Sequence, residues 1–258
     1  MSLSVLQSKA TRLFIALCSF FVANALVAEC IGGKLFSLEA LLGVPEADLT
    51  ILGESGLSYV LTCGVLLWPL EFILTDVVNE YFGMKAVKRI TYITVILIGY
   101  AFVAFYLAMG TPPAGFWITS QVEKGVPDMS RAFNAVFGQG LFIIVGSLAA
   151  FLVSQIVDVV VFQYIKRKTG TRMVWLRATG STLVSQLVDS FIVLFIAFKI
   201  GNGWSLQLVL AICLMNYSYK FLMAIVLTPA IYGLHYIIDR YLGKEQAQQM
   251  KEEALETA

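Results

Sequence analysis

The sequence predicts an all-α integral membrane protein built as a bundle of six transmembrane helices. Three observations carry the prediction. The 258 residues are 59% hydrophobic and only 14% charged, with a mean hydropathy of +0.81, which is too apolar for a water-soluble domain of this length. Long apolar runs fall near 12–31, 57–80, 87–109, 137–165, 176–199 and 205–237, each long enough to cross a bilayer at roughly 20 residues per span. The basic residues alternate in side. Of 18 Lys and Arg, 13 (from Lys9 and Arg12 through Lys85, Lys88, Arg89, Lys166–Lys168, Arg172 and Arg177 to Arg240, Lys244 and Lys251) fall on one side of the six-span arrangement. Lys34, Lys124, Arg131 and Lys199 fall on the other, and Lys220 lies inside a span. The positive-inside rule then places both termini in the cytoplasm. Residues 1–238 read as one membrane domain and 239–258 as a polar cytoplasmic tail, a solvated helix or an unstructured end.

The first span opens after Lys9 and Arg12 and is interrupted by Asn24 and Glu29, which argues for a retained span over a cleaved leader. The second reads Trp68-Pro69-Leu70-Glu71, then Thr75-Asp76 and Asn79-Glu80. A proline inside a span frees a backbone carbonyl and predicts a kink. Asp76, Asn79 and Glu80 share one helical face, with Glu80 near the wet cytoplasmic end. The third span follows a basic turn and leads into the longer of two external loops, 110–136; the other is 32–56. Both are candidate lids or simple connectors.

The fourth and fifth spans hold an internal repeat. Leu152-Val-Ser-Gln-Ile-Val-Asp158 recurs as Leu183-Val-Ser-Gln-Leu-Val-Asp189. In each copy Ser154 or Ser185, Gln155 or Gln186, and the aspartate lie three or four residues apart, so a helix gathers them on one stripe. Asp158 lies eight residues before Lys166 and Asp189 twelve after Arg177, about 12 and 18 Å from the cytoplasmic boundary at 1.5 Å per residue. Two antiparallel helices thus present matching motifs at a similar, central depth, the logic of repeat-built transporter sites. Gly146, Ala150 and Ser154 extend the Asp158 stripe as a small-residue face for close helix packing.

A carboxylate near the bilayer centre costs about 2.5–3.5 kcal/mol on insertion scales, so the aspartates need a cation, a shared proton, water or a ligand. Lys220 is the available intramembrane cation, either pairing with Asp158 or Asp189 or touching solute directly. It shares a helical face with Asn216 in the sixth span. More aspartates than lysines at this depth leaves room for proton coupling.

Several classes are disfavoured. The net charge of +1 and the lack of a basic surface patch argue against nucleic acid. Cys18, Cys30, Cys63 and Cys213 lack zinc or disulfide spacing. His235 is the single histidine, no GxSxG or HExxH motif occurs, and no phosphate-loop motif occurs. The chain reads as a non-enzyme without metal or cofactor. Carboxylates and carboxamides in an aromatic wall suit a flat polar solute, because a carboxylate accepts two parallel N–H bonds and rings supply stacking faces.

Leu74-Thr-Asp-Val-Val-Asn-Glu-Tyr-Phe-Gly83, Ser154-Gln-Ile-Val-Asp158 with Val161-Phe-Gln163, Ser181-Thr-Leu-Val-Ser-Gln-Leu-Val-Asp189, and Asn216-Tyr-Ser-Tyr-Lys220 before Pro229 resemble the queuosine precursor transporter family, also called the vitamin uptake transporter family. The resemblance covers most of the chain. It implies a six-helix bacterial inner-membrane protein that imports 7-deazaguanine precursors of queuosine, 7-cyano-7-deazaguanine and its 7-aminomethyl relative. It points to Asn24, Asp76, Gln155, Asp158, Ser181, Gln186, Asp189, Asn216 and Lys220 as solute-binding residues. Glu71 is outside that pattern. The resulting expectation is a secondary carrier, in monomeric or homo-oligomeric form. The alternatives are a substrate-binding subunit of an energy-coupling vitamin transporter, a carrier of another vitamin-like solute, and, from a different class, a membrane enzyme or scaffold.

Overall fold

The computed structural model describes residues 8–170 and 173–256. Its long elements are helices α1 (Lys9–Ile31), α4 (Met84–Met109), α7 (Leu141–Thr169), α8 (Val174–Leu194) and α9 (Leu206–Val226). Shorter helices are α2 (Leu38–Leu42), α3 (Trp68–Phe82), α5 (Gly115–Ile118), α6 (Met129–Phe137), α10 (Thr228–Leu242) and α11 (Lys244–Glu256). Among the described residues five segments are long and apolar enough to cross a membrane: Lys9–Ile31, Met84–Met109, Met129–Thr169, Val174–Ile200 and Leu206–Val226. The fold is that of an all-α membrane protein. Its exposed residues include many large apolar side chains, such as Ile96, Tyr100, Leu107 and Leu222, which suits a surface solvated by lipid.

The second apolar run departs from the expected uninterrupted helix. Its first residues, with the preceding loop, form strands, β1 (Leu35–Ser37) pairing antiparallel with β4 (Val60–Thr62), and β2 (Leu49–Ile51) with β3 (Glu54–Leu57). A 3₁₀ turn at Cys63–Leu66 follows, and α3 begins only at Trp68. Pro69 therefore sits in the first turn of α3, where its missing N–H breaks no helical bond, and it starts a helix rather than kinking one. The 3₁₀ turn lies close against α1: a Cβ on Gly64 would meet the Ala28 carbonyl oxygen at 2.7 Å. The sixth run is likewise divided at Leu227, with Pro229 in the first turn of α10. The fifth ends as a π-helix over Phe195–Ile200.

Helices α7 and α8 form an antiparallel hairpin, the most extensive helix pair in the fold. The small-residue stripe is its seam. A Cβ on Gly146 would meet the Val193 carbonyl oxygen at 3.2 Å and Ile196 Cβ at 3.3 Å, and Ala150 and Ser154 are buried. Helix α3 packs against α1, α4, α7 and α11, with Val77, Val78 and Tyr81 in a core shared with Phe21, Phe151 and Val159.

One polar group expected near water is packed instead. Glu80 is 0% exposed, with Arg177 Nη2 at 2.7 Å and Lys166 Nζ at 3.3 Å. Lys166 also donates to the Glu80 carbonyl at 3.0 Å. The last turn of α3 lies beneath the α7 and α8 ends, so these two basic residues fold inward onto it. Beyond Asp239, α11 packs back on α3, burying Ala247 and Ala254 and bringing Lys251 Nζ within 2.9 Å of Asp239.

Candidate functional site: two cavities beside an ion pair

The repeat motifs meet face to face across the α7–α8 seam. Because both helices place serine one turn before aspartate and run antiparallel, each serine reaches the other motif's aspartate. Ser185 Oγ donates to Asp158 Oδ1 at 2.9 Å, and Ser154 Oγ to Asp189 Oδ1 at 3.4 Å. The two aspartates nonetheless have different surroundings. Helix α9 crosses α8 and brings Lys220 Nζ to 2.6 Å from Asp189 Oδ2. Of the two partners the sequence allowed, Asp189 takes the lysine.

A cavity of about 370 Å³ opens beside that ion pair, within the size range of small-molecule sites. Its walls carry Glu29 of α1, Asp189 and Ser190 of α8, Asn216 and Lys220 of α9, and the rings of Trp68 and Phe151. Those two rings lie 5.4 Å apart. Gly32, Gly33, Leu35, Thr62, Gln139 and Phe198 also line it, so it lies toward the ends of α1 and α8 and the start of α7, away from the basic turns. A second cavity of about 30 Å³ is lined by Asp76, Thr179, Thr182, Gln186, Lys220 and Leu227, toward the opposite end. Val65, Trp68 and Lys220 contribute to both cavities and form the partition between them.

The nine residues implied by the resemblance divide accordingly. Asp189, Asn216 and Lys220 line the large cavity; Asp76, Gln186 and Lys220 line the small one. Asn24, Gln155, Asp158 and Ser181 line neither. Asn24 Nδ2 donates to Glu71 Oε2 at 2.8 Å and to the Leu67 carbonyl at 3.2 Å, tying α1 to the start of α3 and giving Glu71, 0% exposed, a partner. Thr75 Oγ1 donates to Gln155 Oε1 at 2.9 Å, tying α3 to α7. Asp158 and Ser181 are fully buried.

Glu29 is the site residue that pattern reading did not select. It is 7% exposed, its carboxyl lies against the Ser147 hydroxyl, and it feels the charge of Asp189. The available signal was a carboxylate inside an apolar run, four residues before the Gly33 turn. Trp68 was visible only as an aromatic neighbour of proline.

A helical membrane protein that encloses an ion pair and a polar, ring-walled cavity between its apolar helices is built as a transporter of a small solute. Residues 62–234 match the family model described as "Putative vitamin uptake transporter". The chain belongs to this family and is a multi-pass membrane transporter, not an enzyme. It is 31% identical over 177 residues to a "Probable queuosine precursor transporter" of Bacillus subtilis, covering 67% of this chain and 70% of that one. It is 28% identical over 221 residues to a "Queuosine precursor transporter" of Escherichia coli, covering 81% of this chain and 90% of that one. A "Probable queuosine precursor transporter" of Haemophilus influenzae is 25% identical over 189 residues, covering 72% of this chain and 73% of that one. No solved structure matches the chain.

Proposed function

We propose that this protein is a secondary carrier that imports 7-deazaguanine precursors of queuosine, principally 7-cyano-7-deazaguanine, across the bacterial cytoplasmic membrane. The observation that carries the reading is the composition of the large cavity: two carboxylates, two carboxamides and one ammonium beside three aromatic rings. It is supported by relatives that bear the name queuosine precursor transporter. A deazaguanine presents an N–H edge for which Glu29 or Asp189 supplies paired acceptors. Its carbonyl suits the Lys220 ammonium or the Asn216 amide, and its flat face suits Trp68. At about 370 Å³ the cavity accommodates a bicyclic heterocycle with water to spare.

In this reading the solute contacts are Glu29, Asp189, Asn216 and Lys220, with Trp68 beneath them. The large cavity faces the exterior, because it lies away from the basic turns that the positive-inside rule assigns to the cytoplasm together with both termini. The smaller space beyond the partition then marks the inward route, and exchange of accessibility across Lys220 and Trp68 completes the cycle.

The test uses cells unable to make queuosine precursors. Expression of this chain with low external 7-cyano-7-deazaguanine restores queuosine in tRNA, measured by nucleoside chromatography. Absence of rescue from a chain shown to reach the membrane overturns the substrate assignment.

A further inference from the structure

Three of the four carboxylate oxygens of Asp76 and Asp158 accept no hydrogen bond among the described residues: both of Asp76 and Oδ2 of Asp158. Asp76 is 1% exposed and Asp158 0%, and no ion pair among the described residues includes either. Asp158 is the charge that Asp76 feels most strongly. The Ser181 hydroxyl stands against both carboxyl groups, yet it donates to the Ala178 carbonyl at 3.1 Å. Its single proton serves only one of these three acceptors at a time. Oxygen faces oxygen around this point from α3, α7 and α8, an arrangement that only a positive guest makes favourable.

The guest must be small. Asp158 reaches neither cavity, and Asp76 reaches only the one of about 30 Å³, room for one or two water-sized occupants. Other charges nearby are already engaged. Glu80, the next acid along α3, holds Lys166 of α7 and Arg177 of α8, and Lys220 of α9 is held by Asp189. The two fixed cations nearest the pair, Arg177, whose charge reaches Asp76, and Lys220, which shares the small cavity with Asp76, are thus each already held by another carboxylate.

We propose that Asp76 and Asp158, with the hydroxyls of Ser181 and Ser185, form a binding site for a monovalent cation, a proton or Na⁺, separate from the solute cavity. The site joins α3 to the α7–α8 hairpin. Occupancy removes the repulsion between the two carboxylates and lets α3 close on the hairpin beneath the partition formed by Val65, Trp68 and Lys220, which links cation binding to solute movement. Asp76 and Asp158, expected from the resemblance to touch solute, take this separate role. The inference rests on the transporter class of the chain and not on the identity of its solute.

The test is therefore run first without solute. The full chain, purified in detergent, is melted in NaCl against choline chloride, and separately across a pH series free of Na⁺. The wild type shows a midpoint that rises by several degrees with Na⁺, identifying the ion, or one that depends on pH without responding to Na⁺, identifying the proton. Asp76→Asn and Asp158→Asn, each eluting as a monodisperse species, abolish that response, and Ser181→Ala weakens it several-fold. A wild type that responds to neither ion, or a response retained in both aspartate variants, overturns the proposal. If neither aspartate variant is recovered folded, Ser181→Ala decides: an unchanged response overturns the site. In proteoliposomes supplied with 7-cyano-7-deazaguanine, both aspartate variants lose accumulation driven by the Na⁺ or pH gradient at least tenfold. A wild type that responds to the cation yet moves no deazaguanine sinks the substrate reading alone.

Discussion

Ser185 Oγ donates to Asp158 Oδ1 at 2.9 Å while its counterpart Ser154, in the other repeat, reaches Asp189 Oδ1 at 3.4 Å. The repeated heptapeptide thus ties itself together crosswise, serine to aspartate in both directions. The symmetry of the backbone pattern is broken by one residue from outside the repeat. Lys220 adds a 2.6 Å contact to Asp189 and, among the described ion pairs, none to Asp158, so one copy of the motif lines the large cavity as an ion pair and the other stays a buried carboxyl.

The ion pair predicts a specific interaction between two variants. Asp189→Asn leaves the Lys220 ammonium without its counter-charge, and Lys220→Met leaves the carboxylate alone. Each lowers the initial rate of 7-cyano-7-deazaguanine uptake at least tenfold. The double variant is little worse than either single one, a coupling of about 1–3 kcal/mol. Uptake assays normalised to membrane-inserted protein measure it, and purely additive losses would show that the pair does not act as a unit.

Glu29 is expected to act on affinity. A hydrogen bond to a charged group contributes about 1.5–3 kcal/mol, so Glu29→Gln raises the KM for uptake roughly tenfold or more while the maximal rate changes little. A concentration series of labelled solute separates the two parameters.

The Glu80 site is structural. Glu80→Gln leaves Lys166 and Arg177, both 1% exposed, around a neutral amide. Removing one partner of a buried ionic group costs about 3–5 kcal/mol. The variant is expected to melt well below the wild type in detergent, whereas Glu80→Asp, which keeps the charge, recovers part of the loss.

Gly146 tests the hairpin seam. With the Val193 carbonyl oxygen 3.2 Å from where its Cβ would stand, Gly146→Leu must push α7 from α8, and overpacking of this kind costs about 1–3 kcal/mol. Because Ser154 and Asp158 continue the same stripe, the variant loses uptake as well as thermal stability. Half-buried Gly99, with open space around its Cβ position, accepts alanine without either loss.

One pH effect lies in the loop at the mouth of the large cavity. Glu39 accepts the Tyr59 N–H at 2.7 Å and the Ser37 hydroxyl at 3.1 Å. The Tyr59 N–H, the largest influence, holds its carboxyl below the ordinary value of 4.5. A lowered value in the folded state means that the contribution is complete above the unfolded value and is lost as pH falls through the folded one. Hydrogen exchange at the Tyr59 amide, corrected for intrinsic rate, is expected to lose protection on acidification, and Glu39→Gln loses about tenfold at neutral pH, since a charge-assisted bond becomes a neutral one.

Much of this was legible in one dimension. The apolar runs defined a helical membrane protein because hydrocarbon admits few alternatives for an unpaired backbone. The duplicated heptapeptide placed four of its polar residues on facing stripes, since helical spacing fixes a face. The partner of each residue was not legible. Lys166 and Arg177 counted as loop charges because they follow or precede a turn, and only the packing of the α3 end beneath them turned both inward onto Glu80. Pro69 read as a kink because hydropathy does not register where a helix starts. Glu29 read as an interruption of a span because its neighbours in the cavity come from α7, α8 and α9.

The sequence by itself determined the class of molecule, the positions of its long helices and the chemical identity of the groups placed among them, because solvent preference and helical period are properties of a local stretch. Tertiary structure alone decided which aspartate received Lys220, which opened on a cavity, and which was left facing a second carboxyl. Those outcomes depend on how α3 and α9 approach the α7–α8 hairpin, and a difference of one helix crossing separates two nearly identical motifs into an ion pair at a cavity wall and a fully buried carboxyl group.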